Sequence, residues 1–285
     1  MWRTISNEVI MPEAKFADLH LHTYYSDGTF SPQELMHRAL ESGISCISIN
    51  DHDTVSALVP AFSQRPEDLE LIPGIEVSCD WQDKEVHLLG YYIDYENKEL
   101  LSKLEEIGKQ RIERIRIMVD RLKQMKVDIP VEEVFGLAKY GTVGRLHLAR
   151  VLLKRNIVSN IREAFIRFIG EGCPAYVSRF RMSVKEAIEM IANYGGIPVL
   201  AHPFTVGGDD FIEGLVPFGL KGIEVYYPEH SRGQVEHYKA LSEHLGLVTT
   251  GGSDCHGEVK KNIKVGLVRI PYEIVNRLKK IKEAL

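Results

Sequence analysis

Apolar and polar positions alternate along this chain with two different periods. In roughly the first hundred residues, short apolar runs of strand character are interleaved with helical segments. One strand ends at His20 and His22, and a helix opens at Ser31-Pro32-Gln33-Glu34. Ser31 is placed to cap, Pro32 suits the first helical position, and Glu34 completes a capping box. Gly43 stops that helix, and a buried-type strand over 44–50 follows. A short helix near 54–62 and strands at 69–79 and 85–92 come next, the last two flanking a hairpin turn at Asp80-Trp81-Gln82-Asp83.

From 97 to about 170 the strand pattern disappears. Leu101, Leu104, Ile107, Ile115, Met118, Leu122 and Met125 recur at helical spacing, which predicts one long amphipathic helix. Pro130 breaks it, and three shorter helices follow near 131–138, 145–155 and 160–169. After Cys173-Pro174 the alternation returns, pairing helices 183–194, 209–217 and 231–245 with strands 196–201, 220–225 and 247–251. A strand over 263–269 and a helix over 271–284 close the chain. Repeated βα units around an all-helical block predict one α/β domain, built from 1–96 and 172–285, interrupted by a helical insertion over 97–171.

Composition narrows the class. The 285 residues, 44% hydrophobic and 26% charged, are ordinary for a soluble domain, and no run of eighteen apolar residues suggests a membrane span. Met1 to Lys15 is polar and lacks the apolar core of a secretion signal, so a cytoplasmic location is the expectation. Cys46, Cys79, Cys173 and Cys255 are dispersed, which argues against a thiolate metal site or a disulfide framework. Cys46 reads as core and Cys255 as a bystander between two polar residues. Charge separates the two parts: 97–171 carries sixteen Lys/Arg and ten Asp/Glu, a net of +6, which leaves −11 for the remainder. A basic helical part beside an acidic α/β part suits an anionic substrate, although exposed helices also carry Lys and Arg simply to stay solvated.

The chemistry sits where apolar runs meet polar turns. Side chains two apart on a strand share a face, so His20 and His22 project together, and Asp27 lies on the Gly-bearing turn beyond them. Asp51-His52-Asp53 ends one buried strand, Glu76 follows Pro73-Gly74-Ile75, and His87 stands among aliphatics. His202 ends another strand before Pro203, and Asp254-Cys255-His256 ends the last. Each alone reads most simply as a hydrogen-bonded core residue or a solvated strand end. Strand ends of a β/α barrel share one face, however, and nine His, Asp and Glu side chains converging there would be left unpaired without cations. Metal binding is therefore predicted. Two glycines before a helix start at Gly141-Thr142-Val143-Gly144-Arg145 offer an anion site, and Arg145 in that first turn opposes the helix dipole unless an anion binds.

In this order, Asp18-Leu19-His20-Leu21-His22-Thr23 through Asp27-Gly28, Asn50-Asp51-His52-Asp53-Thr54, Pro73-Gly74-Ile75-Glu76, His87-Leu88-Leu89-Gly90-Tyr91-Tyr92, Val199-Leu200-Ala201-His202-Pro203 and Gly251-Gly252-Ser253-Asp254-Cys255-His256-Gly257 resemble the PHP (polymerase and histidinol phosphatase) superfamily. The likeness is to its branch of nucleoside 3′,5′-bisphosphate phosphatases and 5′→3′ exoribonucleases. It implies a distorted (β/α)7 barrel with an all-helical insertion and three divalent ions. One ion would take His20, His22, Glu76 and Asp254. A second would share Glu76 and add His87 and His202, and a third would take Asp27, His52 and His256. A donor set of nitrogen and oxygen without thiolate suits Mn2+, Zn2+ or Fe2+. Asp18 is expected to orient the neighbouring histidines, and Asp51 and Asp53 to stand behind His52. Arg145 and His147, from the resemblance's Arg-x-His, and more weakly Arg179, are expected to contact substrate phosphate. His37, His230, His237 and His244 read as surface or packing residues.

The expected reaction is phosphoester hydrolysis by a metal-bound hydroxide, with no side-chain nucleophile. The substrates implied are nucleoside bisphosphates or short 5′-phosphorylated RNA, with no obligate protein partner. A small-molecule phosphomonoesterase, such as one for histidinol phosphate, is the alternative enzyme, and a non-catalytic metal-binding module the alternative outside enzymes.

Overall fold

Short strands buried along their whole length, such as Cys46–Ile49 and Ile197–Leu200, need both faces covered, and the sheet achieves this by rolling up. The structure, a computed structural model, describes residues 14–82, 84–178 and 182–285. Asp83 of the expected turn, Arg179, and all but the last two residues of the Met1 to Lys15 segment lie outside the described residues.

The first part runs β1 (Phe16–Leu21), α1 (Pro32–Glu41), β2 (Cys46–Ile49), α2 (Leu58–Ser63), β3 (Glu70–Trp81) and β4 (Lys84–Tyr91). The capping box predicted at the head of α1 forms, with Ser31 and Glu34 each accepting the other's backbone N–H. Next come α3 (Lys98–Gln124), α4 (Val131–Leu137), α5 (Arg145–Lys154) and α6 (Ile161–Ala164), which runs into a wide π turn over Phe165–Ile169. The last part is α7 (Val184–Asn193), β5 (Ile197–Leu200), α8 (Asp209–Leu215), β6 (Gly222–Tyr226), α9 (Arg232–His244), β7 (Val248–Gly251), β8 (Ile270–Pro271) and α10 (Tyr272–Glu283).

The strands lie in the order β7-β6-β5-β4-β3-β2-β1-β8. Beyond β7 the chain swings back onto β1: the Asp254 amide donates to the His20 carbonyl at 2.8 Å and the His22 amide to the Cys255 carbonyl at 3.1 Å. These bonds close the barrel. Gly252 permits them, because a Cβ there would sit 2.3 Å from the His20 nitrogen.

Neighbouring strands are parallel except at β4, which is antiparallel to both β3 and β5, and at the short β8 on the edge of β1. Its reversal matters for the site. His87, opposite Ser78 in the first half of β4, reaches the barrel mouth from the start of its strand rather than from its end. The predicted strand over 263–269 does not form. Gly266 adopts a left-handed φ of 74° and donates its amide to Asp18, so the segment turns, and only Ile270–Pro271 pairs, antiparallel to β1.

Ile115, Met118, Leu122, Leu148, Leu152 and Phe168 belong to a hydrophobic cluster separate from those of the barrel. α3 serves both parts, since Leu100 and Leu104 near its start pack into the barrel core. A buried ion pair fixes it there: Arg111 Nε donates to Asp53 Oδ2 at 2.8 Å, and the same guanidinium reaches Ser78 Oγ and the Val143 carbonyl at 3.1 Å each. Among the described residues no helix is long and apolar enough to cross a membrane.

Candidate metal centre

Glu76 is the hub of the barrel mouth. It lies inside β3 in an apolar setting and is 1% exposed. Its Oε2 is 3.4 Å from His20 Nε2, 3.2 Å from His22 Nε2 and 3.0 Å from His52 Nδ1. Its Oε1 is 2.9 Å from His87 Nδ1 and 3.1 Å from His202 Nε2. Asp254 Oδ1 stands 3.1 Å from His22 Nε2 and 3.6 Å from His20 Nε2. Asp27 makes a second focus, with Oδ1 3.2 Å from His256 Nε2 and Oδ2 3.8 Å from His52 Nε2.

All nine residues singled out in the sequence therefore meet at one place. Their donor atoms fall into three groups: His22, Asp27, His52 and His256; His20, His22 and Asp254; and His52, Glu76 and His87. His52 faces Glu76 with one nitrogen and Asp27 with the other, so it stands between two groups, and His202 joins only through Glu76. The backbone is bent to achieve this. His202 has φ 27° and ψ 63°, and Asp254 has φ 52°. Such conformations cost on the order of 1–3 kcal/mol each and persist where the surroundings impose them.

Outer groups hold these side chains in place. Buried Glu224 on β6 takes His20 Nδ1 at 2.8 Å and the His202 amide at 2.9 Å. Asp254 Oδ2 accepts from Tyr227 Oη at 2.9 Å and Lys260 Nζ at 2.7 Å. Asp51 accepts from the Thr23 amide at 2.8 Å and from the Thr23 and Ser26 hydroxyls at 2.6 and 2.5 Å, pinning the loop that bears Asp27. Glu85 binds His87 Nε2 at 2.9 Å and Arg145 at 2.6 Å.

The donor set fits divalent cations on its own geometry. Asp27 Oδ1, Glu76 Oε2, His52 Nδ1 and His87 Nδ1 are buried without a hydrogen bond, although each has an opposite-type atom within 3.2 Å. His20 Nε2 and His22 Nε2 face each other at 3.1 Å, an arrangement in which only one can carry a proton. Atoms that crowd together without hydrogen-bond angles are arranged to point at shared cations.

Burial works against ionisation of Asp27, Glu76 and Asp254, yet the facing imidazoles, with Lys260 at Asp254, hold all three well below the usual carboxylate range. Burial, helped by the His22 and His87 imidazoles, outweighs Glu76 and Asp27 and pushes His52 down to about 3, leaving its nitrogens free to act as ligands. At His22 and His87 burial acts in the same direction but is overcome by carboxylates, Asp254 and Glu76 for His22 and chiefly Glu76 for His87, and both rise to about 9. Below pH 9 these two imidazoles carry protons that a cation must displace. Titrating Mn2+ into weakly buffered protein at pH 7.5 is expected to release protons, and affinity should climb from pH 6 toward pH 9. Metal uptake without proton release, at pH-independent affinity, would contradict this.

Other expectations fare differently. Arg145 lines the cleft of about 510 Å³ over the cluster. It is held by Glu85 and by the rings of Phe165 and Tyr176, 5.5 and 5.6 Å from its guanidinium carbon. His147 does not reach that wall. It is fully buried, and its Nδ1 accepts the Gly144 amide at 3.1 Å, capping its own helix, with burial holding it neutral at about 4. Asp18 does not orient an imidazole either, since its oxygens accept the Ser253 and Gly266 amides at 2.8 Å each. Asp53 serves Arg111 and the Ser78 amide. Cys255 is buried, and desolvation pushes its thiol up, as suits a bystander.

Glu224, Lys260, Tyr227, Glu85 and Arg111 were not anticipated. Glu224 had a visible signal, because Gly222-Ile223-Glu224-Val225 repeats the buried-carboxylate pattern of Gly74-Ile75-Glu76-Val77.

Over residues 18–170 the sequence matches the family model described as the PHP domain. The chain is 35% identical over 254 residues to the 5′-3′ exoribonuclease Rnm of Escherichia coli, covering 84% of each. It is 30% identical over 256 residues to the 3′,5′-nucleoside bisphosphate phosphatase of Chromobacterium violaceum, covering 87% of this chain and 90% of that one. A solved structure from Bifidobacterium adolescentis, provisionally assigned as a metal-dependent phosphoesterase, superposes with a TM-score of 0.86 at 28% identity, covering 94% of this chain and 96% of that one. Fold and site together define a metal-dependent phosphoester hydrolase. The chain belongs to the PHP domain family.

Proposed function

We propose that this protein hydrolyses phosphate esters of nucleotides, either nucleoside 3′,5′-bisphosphates or short 5′-phosphorylated RNA. In this reading three divalent ions are held by His20, His22, Glu76 and Asp254; by Glu76, His87 and His202; and by Asp27, His52 and His256. The observation that carries it is the Glu76 carboxylate, shared among five imidazoles, with its buried Oε2 facing His20, His22 and His52 without a hydrogen bond. The two relatives named for nucleotide and RNA hydrolysis support the substrate class.

Divalent ions bound there supply Lewis acidity and lower the pKa of coordinated water toward ~7. The chain's own residues do the rest. Arg145 presents a cation on the cleft wall, where it can neutralise phosphate oxygens. Glu85 aims Arg145 and, through Nε2, sets His87 with Nδ1 toward Glu76. Glu224 fixes the His20 ring, and Lys260 and Tyr227 keep Asp254 ionised and oriented. No serine or cysteine is asked to act as nucleophile.

The test is turnover of adenosine 3′,5′-bisphosphate, a 5′-phosphorylated RNA trinucleotide and histidinol phosphate with Mn2+, Zn2+ and Mg2+. Nucleotide substrates are expected to lead, and preference for histidinol phosphate would overturn the substrate assignment. Arg145→Ala is expected to lower kcat/KM for them about 10–100-fold, the worth of a charge-assisted hydrogen bond, with metal content unchanged. Wild-type kinetics would remove Arg145 from the site.

A further inference from the structure

A groove of about 820 Å³ opens beside the metal cleft, and the two share Ile161, Arg162 and Val259 in their walls. Arg150, Lys154, Arg162 and Lys261 line it, against Glu258 as the one carboxylate. Elsewhere in the helical part arginines find acids: Arg111 pairs with Asp53, Arg145 with Glu85, Arg155 with Glu133 and Arg167 with Glu163. The four groove cations have no side-chain hydrogen bond or ion pair among the described residues. Grouped unpaired cations repel one another and favour a polyanion.

The lining supplies a second, independent feature. Thr29 and Leu137 border the groove there. The segments that carry them also carry Tyr24, whose amide donates to the Phe30 carbonyl at 2.9 Å, and Tyr140, three residues after Leu137. The Tyr24 and Tyr140 rings lie 4.6 Å apart, Lys139 Nζ stands 5.3 Å from the Tyr140 ring centre, and Tyr140 is 53% exposed, so this aromatic pair presents surface to solvent. Cations that track phosphates beside exposed aromatic rings are the parts from which single-stranded nucleic-acid sites are made.

The metal cleft alone is of a size that accommodates a small ligand. A basic groove leading out of it is surplus to a mononucleotide. We propose that this groove carries the phosphodiester backbone of single-stranded RNA whose 5′ end lies at the metal cluster, with Tyr24 and Tyr140 stacking a base further along. The proposal rests on the nucleotide-hydrolase reading for the position of that 5′ end. It deepens that reading by assigning the RNA chain a path and the residues that hold it.

The test uses metal-loaded protein and a 5′-phosphorylated, phosphorothioate-linked RNA hexamer with a 3′ fluorophore, whose binding is followed by anisotropy across a NaCl series. In Lys154→Ala/Lys261→Ala the slope of log K against log salt should be shallower by about 1.4, two backbone contacts at ~0.7 each. Tyr140→Ala should weaken binding several-fold with the slope unchanged. Turnover of adenosine 3′,5′-bisphosphate should stay at wild-type level in both variants. An unaltered slope in the double variant, or equal losses on the mononucleotide, overturns the groove assignment. If the wild type binds the hexamer with the expected slope but hydrolyses neither adenosine 3′,5′-bisphosphate nor the 5′-phosphorylated RNA trinucleotide, the hydrolase reading fails while the groove stands.

Discussion

Glu76→Gln is expected to abolish turnover and strip bound metal while leaving the barrel folded. The carboxylate faces His20, His22, His52, His87 and His202, so neutralising it removes the one negative charge common to two proposed ions. The loss should exceed the ~100-fold that removing an outer partner of a metal site can cost. The amide keeps the size of the side chain and its place in β3, so far-ultraviolet circular dichroism should match the wild type. Metal content by elemental analysis and kcat on adenosine 3′,5′-bisphosphate are the readouts. Activity within a few-fold of wild type would mean that Glu76 is a structural carboxylate only.

Arg111→Ala is expected to produce the largest loss of stability, about 3–5 kcal/mol, the cost of leaving a buried charge without its partner. Both Arg111 and Asp53 are nearly buried, at 7% and 2% exposed. The pair joins α3 to the loop after β2, so its loss should loosen the helical part over the cleft before the barrel itself unfolds. Denaturant midpoints would report the loss, and hydrogen exchange would place it in α3. Replacing both partners, as in Arg111→Met with Asp53→Asn, should recover much of the stability, because the uncompensated charge is gone. A change within 0.5 kcal/mol for Arg111→Ala would show that the pair is not needed.

What the sequence made legible, and what it hid, follows from the physics of each signal. His20 and His22 were readable because strand alternation fixes which side chains share a face, and the Ser31 capping box because it is local. Glu76, His202 and Asp254 stood out as polar residues ending or interrupting apolar strands. Glu224 carried the same signal within Gly222-Ile223-Glu224-Val225 and went unnoticed because no recognised motif contained it. Arg111 could not be read, since a charged residue on an amphipathic helix looks solvated until its partner is known. The reversed β4 was implied by the hairpin, but its effect on His87, placed in the first half of its strand, needed the closed sheet. The segment over 263–269 alternates as a strand would. Its turn is imposed by the distant Asp18 carboxylate acting on the Gly266 amide, which no local pattern reports. His147 is buried and caps its own helix, a role that occupies the same place in sequence as a phosphate ligand would.

The central claim is that the barrel mouth is a trinuclear metal site organised around Glu76. Crystals grown with Mn2+ and measured at the manganese absorption edge test it most directly. Three anomalous peaks are expected: one bounded by His20, His22, Glu76 and Asp254, one by Glu76, His87 and His202, and one by Asp27, His52 and His256. An absence of peaks in the cluster, or a single peak that Glu76 does not touch, would contradict the account.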